Sequence, residues 1–236
     1  MPKVLLYSYA AFLLAYLIGS LSFAVIISKL MRLPDPRTVG SKNPGATNVL
    51  RSGSKVAAVL TLLLDGAKGF APVFAVRYFS SRFGFDDSTE AFVGVAAFLG
   101  HLWPVFFGFK GGKGVSTALG VLLAFSPWLG LSALITWIVV AVVTRYSSLA
   151  AMAAAVVVPI AQLLFFDKSS VLIAVCFMSL LLLWRHRRNI VNLMVGREAR
   201  IGEVEPDKKR RRRRYRELAA GAVPRTGAMP GHRDSP

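Results

Sequence analysis

Acid and sulfur are both scarce in this chain. Twelve Asp and Glu residues stand against 29 Lys and Arg in 236 positions, leaving a formal charge of +17. The single cysteine, Cys176, excludes an intrachain disulfide and, set in an apolar run, reads as a small core residue. A secretory signal pattern is missing. The first apolar run outlasts the roughly 7–15 residues of such a region and no A-x-A site follows, so the run is expected to persist as a mature helix. A nucleotide P-loop is missing too. Gly112-Lys113 would be its end, but Phe107 stands where its first glycine belongs, Gly114 follows the lysine, and the nearest hydroxyls are Ser116 and Thr117. Internal repeats are also lacking: neither Gly-rich loop has a second copy, which weighs against a transporter of phosphorylated solutes built from repeated halves.

Apolar length is what the chain does have: 54% of its residues are hydrophobic and the mean hydropathy is +0.53. Charge and apolar residues are segregated along it. A helix crosses a bilayer in about 20 apolar residues, and runs approaching that length cover 4–28, 56–79, 91–107, 128–144, 149–166 and 171–184. A shorter run, 114–125, needs tilting or a thinned bilayer to cross. The reading is an all-α integral membrane protein of about seven transmembrane helices, five or six if the short runs are re-entrant. Basic loops fix its orientation. Residues 29–55 carry Lys29, Arg32, Arg37, Lys42, Arg51 and Lys55 against Asp35 alone, while 80–90 carry Arg82 against Asp86, Asp87 and Glu90. Then come Lys110 and Lys113, the bare turn Ser126-Pro127, Arg145, Asp167-Lys168 and a basic tail. Basic and non-basic loops alternate, which puts the N-terminus outside and the C-terminus in the cytoplasm. Residues 1–202 form the membrane domain. Residues 203–236, with "KKRRRRRYRE" and a Gly/Pro/Arg remainder, form a tail not expected to fold alone. Just cytoplasmic of a last helix, such a run sets topology and touches anionic lipid more readily than nucleic acid.

The polar residues gather on one side. "GFKGGKGVSTALG", 108–120, packs Lys110, Gly111, Gly112, Lys113 and Gly114 together. Glycine lets a backbone turn its N–H groups toward one point and lysine adds charge, as a phosphate-holding loop requires; the bland alternative is a hinge between helices. "VGSKNPGATNVLRSGSK", 39–55, offers Ser41, Asn43, Thr47, Asn48 and the anion-holding fork of Arg51 around an Asn-Pro turn, where an ordinary solvated loop is the alternative. Asp65 and Lys68 sit three apart inside an apolar helix, where charges pair or line a cavity. His101, some way before the Gly-rich loop, reads as a packing or interfacial residue. Arg145 and Tyr146 can be interfacial anchors, with Ser147 and Ser148 beside them. If the last helix continues through "RHRRNIVNLM", His186 and Asn189 share a face.

Together "GSKNPGATNVLR", "LDGAKG", "GHLWPVFFGFKGGKGVSTALG" and "RHRRNIVNLMVGRE" resemble the PlsY family, the bacterial acyl-phosphate:glycerol-3-phosphate acyltransferases, over residues 4–201. The resemblance implies a seven-helix enzyme of the bacterial cytoplasmic (inner) membrane whose active site faces the cytoplasm. It implies transfer of a fatty acyl group from acyl phosphate to the 1-hydroxyl of glycerol 3-phosphate, giving lysophosphatidic acid and phosphate, with no cofactor or metal. Carried over by motif, Ser41, Arg51, Lys113, His186 and Asn189 are the implied catalytic residues. Asn43, Gly45, Thr47, Asn48, Lys110, Gly111, Gly112, Gly114, Thr117 and Ser148 are the implied substrate- and phosphate-binding residues. One departure stands out: Ala151 occupies a place where the family commonly has serine, with Ser147 or Ser148 as its stand-in. An acyl-CoA-dependent His-x4-Asp site is excluded, because Phe106 and Val191 follow His101 and His186 at the required spacing. The candidate bases are His186, Asp65, Glu198 and the substrate's own phosphate.

Overall fold

The computed structural model describes residues 2–166 and 169–203. The basic tail and the outer turn Asp167-Lys168 lie outside the described residues. Among the described residues the structure is helical throughout, in the order α1 (Pro2–Gly19), α2 (Phe23–Leu30), α3 (Ala46–Arg51), α4 (Lys55–Tyr78), α5 (Ser80–Phe83), α6 (Asp87–Leu102), α7 (Val115–Phe125), α8 (Pro127–Thr144), α9 (Ser147–Phe165), α10 (Ser169–Arg185) and α11 (Arg187–Met194). Among the described residues four helices are long and apolar enough to cross a membrane: 55–78, 87–107 counting the turn after α6, 127–144 and 147–165. Counting each bent pair as one span raises that to six.

Starts and stops follow from local chemistry. Ser54 caps α4 by accepting from the Ala57 N–H at 3.1 Å, and Asp86 caps α6 by accepting from the Thr89 N–H at 2.8 Å. Pro127 opens α8, where its missing N–H would have had no partner. Two expectations need correction. The run 4–28 is not one helix: α1 and α2 bend by 42° at the break. Lys68 enters there, its Nζ donating to the Leu21 carbonyl at 2.6 Å, so a backbone acceptor freed by the break is satisfied by a buried charge. The last helix does not continue either, since α10 and α11 bend by 53° at His186.

Packing orders the bundle. α7 has 11 residues and lies against α4 with no room for side chains at the crossing: a Cβ on Gly120 would collide with the Gly66 carbonyl, and one on Gly69 with that of Thr117. The main core draws Phe98, Leu102, Val121, Leu129, Val175 and Met178 together from four helices, and a smaller one (Ala24, Ile27, Val49, Ala57, Ala58) pins α3 and its loop to α2 and α4. One end of the bundle is closed by Arg77, which pairs with Glu90 at 2.7 Å and donates to the Phe125 carbonyl at 2.8 Å; Ser88 and Ser170 meet there, and Val4 packs near Gly84. The other end carries the loop 31–54, the segment 103–114, the α8–α9 turn and residues 186–203, which surround a cavity.

Candidate active site

The cavity, of about 580 Å³, has two characters. Its deeper part is lined by side chains such as Leu119, Leu122, Leu134, Trp137, Val158 and Met178, and its mouth by Ser41, Asn43, Arg51, Lys113, His186 and Glu198. Of the sequence-derived candidates, Gly45, Thr47, Asn48, Gly114, Ser148 and Asn189 line it as well. Lys110, Gly111, Gly112 and Thr117 do not. Lys110 is exposed, and Thr117 is fully buried with its hydroxyl 3.0 Å from His101 Nδ1.

The Gly-rich segment takes its shape from close packing. A Cβ on Gly111 would overlap the His101 carbonyl and sit 2.6 Å from that of Leu102, and one on Gly112 would meet the His101 ring and sit 2.8 Å from the Pro44 carbonyl. The loop is wedged between the end of α6 and the 39–51 loop. Its polar groups also point otherwise than a nest of N–H donors would require: Gly112 N–H donates to the His101 carbonyl at 3.2 Å, and the Gly111 and Gly112 carbonyls receive Arg185 at 2.8 and 2.7 Å. Arg185 is thus the strut that holds the loop, and Lys113 is the group the loop presents. Asp65, paired with Lys68 at 2.8 Å and 3.8 Å from His101 Nδ1, joins α4 to the same wedge; Asp65 and His101 both reach the cavity lining.

In the first loop, Asn48 is a latch. Its side chain accepts from the Ser41 N–H at 3.0 Å and donates to the Pro36 and Val39 carbonyls at 2.7 and 3.2 Å, so its hydrogen-bonding capacity is largely spent on the loop itself. Thr47 meets Ser147 at 3.3 Å across the cavity, and Arg51 donates to the Ala199 carbonyl at 3.4 Å.

On the facing side, Lys113 Nζ donates to Asn189 Oδ1 at 2.6 Å, and Asn189 Nδ2 donates to Glu198 Oε1 at 2.6 Å. Ser148 Oγ donates to the same oxygen at 2.6 Å. Ala151, one turn along α9 from Ser148, is buried and bare against the cavity, so the hydroxyls this helix offers are those of Ser147 and Ser148. Burial pushes the Lys113 ammonium down to about 8, aided by Arg51 and Arg185 and opposed by Glu198. His186, at the α10–α11 break, is buried among these groups. Its neighbour Arg187 lies 4.5 Å over the Trp184 ring. His186 Nδ1 lies 2.8 Å from the Leu182 carbonyl, which can only accept, so the proton is on Nδ1 and Nε2 carries a free lone pair. Glu198 was weighed as a base but omitted from the substrate-holding set. Its signal was available: an acid after Gly196 in a segment otherwise basic.

Comparison with known proteins gives the family. The family model for glycerol-3-phosphate acyltransferase matches residues 9–196. Glycerol-3-phosphate acyltransferases of Herminiimonas arsenicoxydans and Janthinobacterium sp. (strain Marseille) are each 60% identical over 188 residues, covering 80% of this chain and 92% and 94% of theirs. Among solved structures, PlsY (YgiH), an integral membrane glycerol 3-phosphate acyltransferase, is similar in its glycerol 3-phosphate form, with a TM-score of 0.78 at 41% identity. Its lysophosphatidic acid form gives 0.76 at 40%, and both cover 83% of this chain and 96% of that one.

Proposed function

The chain belongs to the glycerol-3-phosphate acyltransferase family, and on that premise we propose that it transfers a fatty acyl group from acyl phosphate to the 1-hydroxyl of glycerol 3-phosphate. The observation that carries this reading is the two-part cavity: a cationic mouth with Arg51 and Lys113 above an apolar chamber lined by leucine, valine and methionine. Each substrate has an anionic head that suits the mouth, and the acyl donor has a tail that suits the chamber. The hydroxyl oxygen attacks the acyl carbonyl carbon, the bond from that carbon to the phosphate oxygen breaks, and phosphate leaves with the electron pair. Phosphate is a ready leaving group, so the protein supplies position and fixed charge more than a covalent nucleophile. The hydroxyl proton passes to the acceptor's own phosphate, whose second pKa of about 6 leaves it dianionic at neutral pH. His186, held neutral with Nε2 free, accepts a hydrogen bond from the substrate and orients it; Asn189 does the same beside it. Arg51 and Lys113 hold phosphates.

Seven spans follow if the bent pairs α1–α2 and α10–α11 and the short α7 each count as one crossing. With the N-terminus outside, the site opens to the cytoplasmic face of the bacterial inner membrane, where the basic tail meets anionic lipid. The test is turnover by purified protein: lysophosphatidic acid should form from acyl phosphate and glycerol 3-phosphate, and none from acyl-CoA, for whose adenosine the described residues form no nucleotide-binding fold. Comparable rates with both donors would overturn the reading.

A further inference from the structure

Glu198 is an acid set among cations and wired more thoroughly than the reaction described above requires. It lies in the return segment after α11, which is tied down on both sides. The Arg197 and Glu198 N–H groups donate to the Asn192 carbonyl at 2.7 and 3.2 Å, and the Ile201 N–H to that of Arg145 at 2.7 Å. The Arg145 guanidinium returns to the Ile201 carbonyl at 3.2 Å, Arg51 reaches the Ala199 carbonyl at 3.4 Å, and Arg200 lies 5.5 Å over the Tyr146 ring. The carboxylate itself takes Ser148 and Asn189 on Oε1, both at 2.6 Å, and Asn192 on Oε2 at 3.4 Å.

The two neighbours of Asn189 decide its orientation. An ammonium only donates and a carboxylate only accepts, so Asn189 must turn its oxygen to Lys113 and its nitrogen to Glu198. The opposite flip would set donor against donor and acceptor against acceptor. In the observed flip Asn189 keeps one N–H and one lone pair unspent, Lys113 keeps two N–H donors, and Ser148 keeps its lone pairs. Three groups are thus set in one arrangement with capacity left for a ligand.

We propose that Glu198 is a positioning residue for acyl transfer: its carboxylate holds Asn189, through it Lys113, and separately Ser148 in the arrangement that receives the phosphorylated substrates. The proposal rests on the acyltransferase reading of this site. With Ser148, Asn189 and Asn192 on its oxygens, Glu198 is a fixed acceptor and counter-charge, and the proton acceptor remains the substrate. The groups that face Lys113 are Glu198 from the return segment, Arg51 from α3, Arg185 from the end of α10, and His186 and Asn189 from the α10–α11 break. Glu198 alone among them favours the ammonium by its charge.

The experiment is Glu198→Gln, with Glu198→Ala beside it, in purified full-length enzyme. Gln keeps the shape and one acceptor but drops the charge. Loss of a charge-assisted contact is expected to lower kcat/KM roughly tenfold or more in Glu198→Ala and by less in Glu198→Gln. In Glu198→Gln the alkaline limb of the kcat/KM profile should also move to lower pH, because Lys113 then loses its proton sooner. Affinity for inorganic phosphate, titrated calorimetrically across the same pH range, should show the same displacement without any turnover. Wild-type enzyme that binds phosphate but transfers no acyl group would sink the acyltransferase reading and leave the phosphate comparison standing. Glu198→Gln with an unmoved limb and unmoved phosphate affinity overturns the proposal, whether or not its overall activity falls.

Discussion

Replacing Gly111 by alanine tests whether the Gly-rich loop is a wedge. The added methyl meets the carbonyls of His101 and Leu102, the latter at 2.6 Å, and Pro104 Cδ at 2.6 Å. Main-chain atoms at the end of a buried helix have nowhere to go, so the loop must move. Overpacking of this kind costs about 1–3 kcal/mol, and every 1.36 kcal/mol that reaches the transition state is about tenfold in rate. With Arg185 pulling the same loop against α10, the displacement falls on Lys113, and kcat/KM should drop about 10- to 100-fold. Gly112→Ala should cost less, because one of its two obstacles is the His101 ring, which can rotate, while the Pro44 carbonyl at 2.8 Å remains. Gly108→Asn is the control. Gly108 sits at φ 61° with open space around it, and asparagine tolerates that left-handed conformation, so its activity should stay within about threefold of wild type, a factor worth well under 1.36 kcal/mol. The assay is lysophosphatidic acid formed per folded enzyme, with thermal unfolding measured in parallel. Wild-type kcat/KM and Tm together in Gly111→Ala would refute the wedge.

Lys113→Ala should lower kcat/KM at least tenfold, since a charge-assisted phosphate contact contributes about 1.5–3 kcal/mol. Because burial brings Lys113 down to about 8, wild-type kcat/KM should be full between the substrate phosphate's second pKa of about 6 and that pH and fall as pH rises through it, and this alkaline limb should vanish in the alanine variant; an unchanged limb there would assign it elsewhere. His186→Gln, able to hydrogen-bond but not to serve as a base, should keep measurable kcat at saturating substrate. A fall to background with glycerol 3-phosphate still bound would return the base role to His186. For topology, a reporter fused after residue 87 should lie outside and one after residue 205 inside, and both on one side would break the seven-span arrangement.

The helices were legible because membrane-crossing length is written in local composition: apart from the run 4–28, which divides into α1 and α2, each apolar run became a helix, within a few residues. Leu102 ends α6 earlier than the apolar run suggested, since Pro104 lies just beyond it. The breaks were not legible. At His186 neither glycine nor proline marks the bend. It is set by Arg185 reaching the Gly-rich carbonyls and by Asn189 reaching Lys113, contacts spanning more than seventy residues. The cations Arg51 and Lys113, proposed to hold phosphates, could be singled out from their glycine and asparagine surroundings, and both line the cavity. What could not be read was the use made of those surroundings. Asn48 reads as a ligand donor and folds its own loop, while Gly111 and Gly112 read as N–H donors and instead admit a close approach. Arg185 escaped for the same reason, its partners lying more than seventy residues away, and so did the meeting of Glu198 with Ser148, fifty residues apart.

The shortness of α7 has one more consequence. Eleven residues rise about 16 Å, roughly half the ~30 Å hydrocarbon thickness, and the loop that presents Lys113 sits at the start of that helix. With α7 taken as one of the proposed crossings, the groups proposed to react are recessed, or the bilayer is pinched down to reach them. Either way the proposed acyl phosphate is drawn away from bulk solvent before its carbonyl is exposed to attack. Water is the rival nucleophile for such a donor, present at overwhelming concentration, and its hydrolysis would squander the activated chain. A site sunk at the foot of a half-length helix favours the bound alcohol by keeping its competitor scarce.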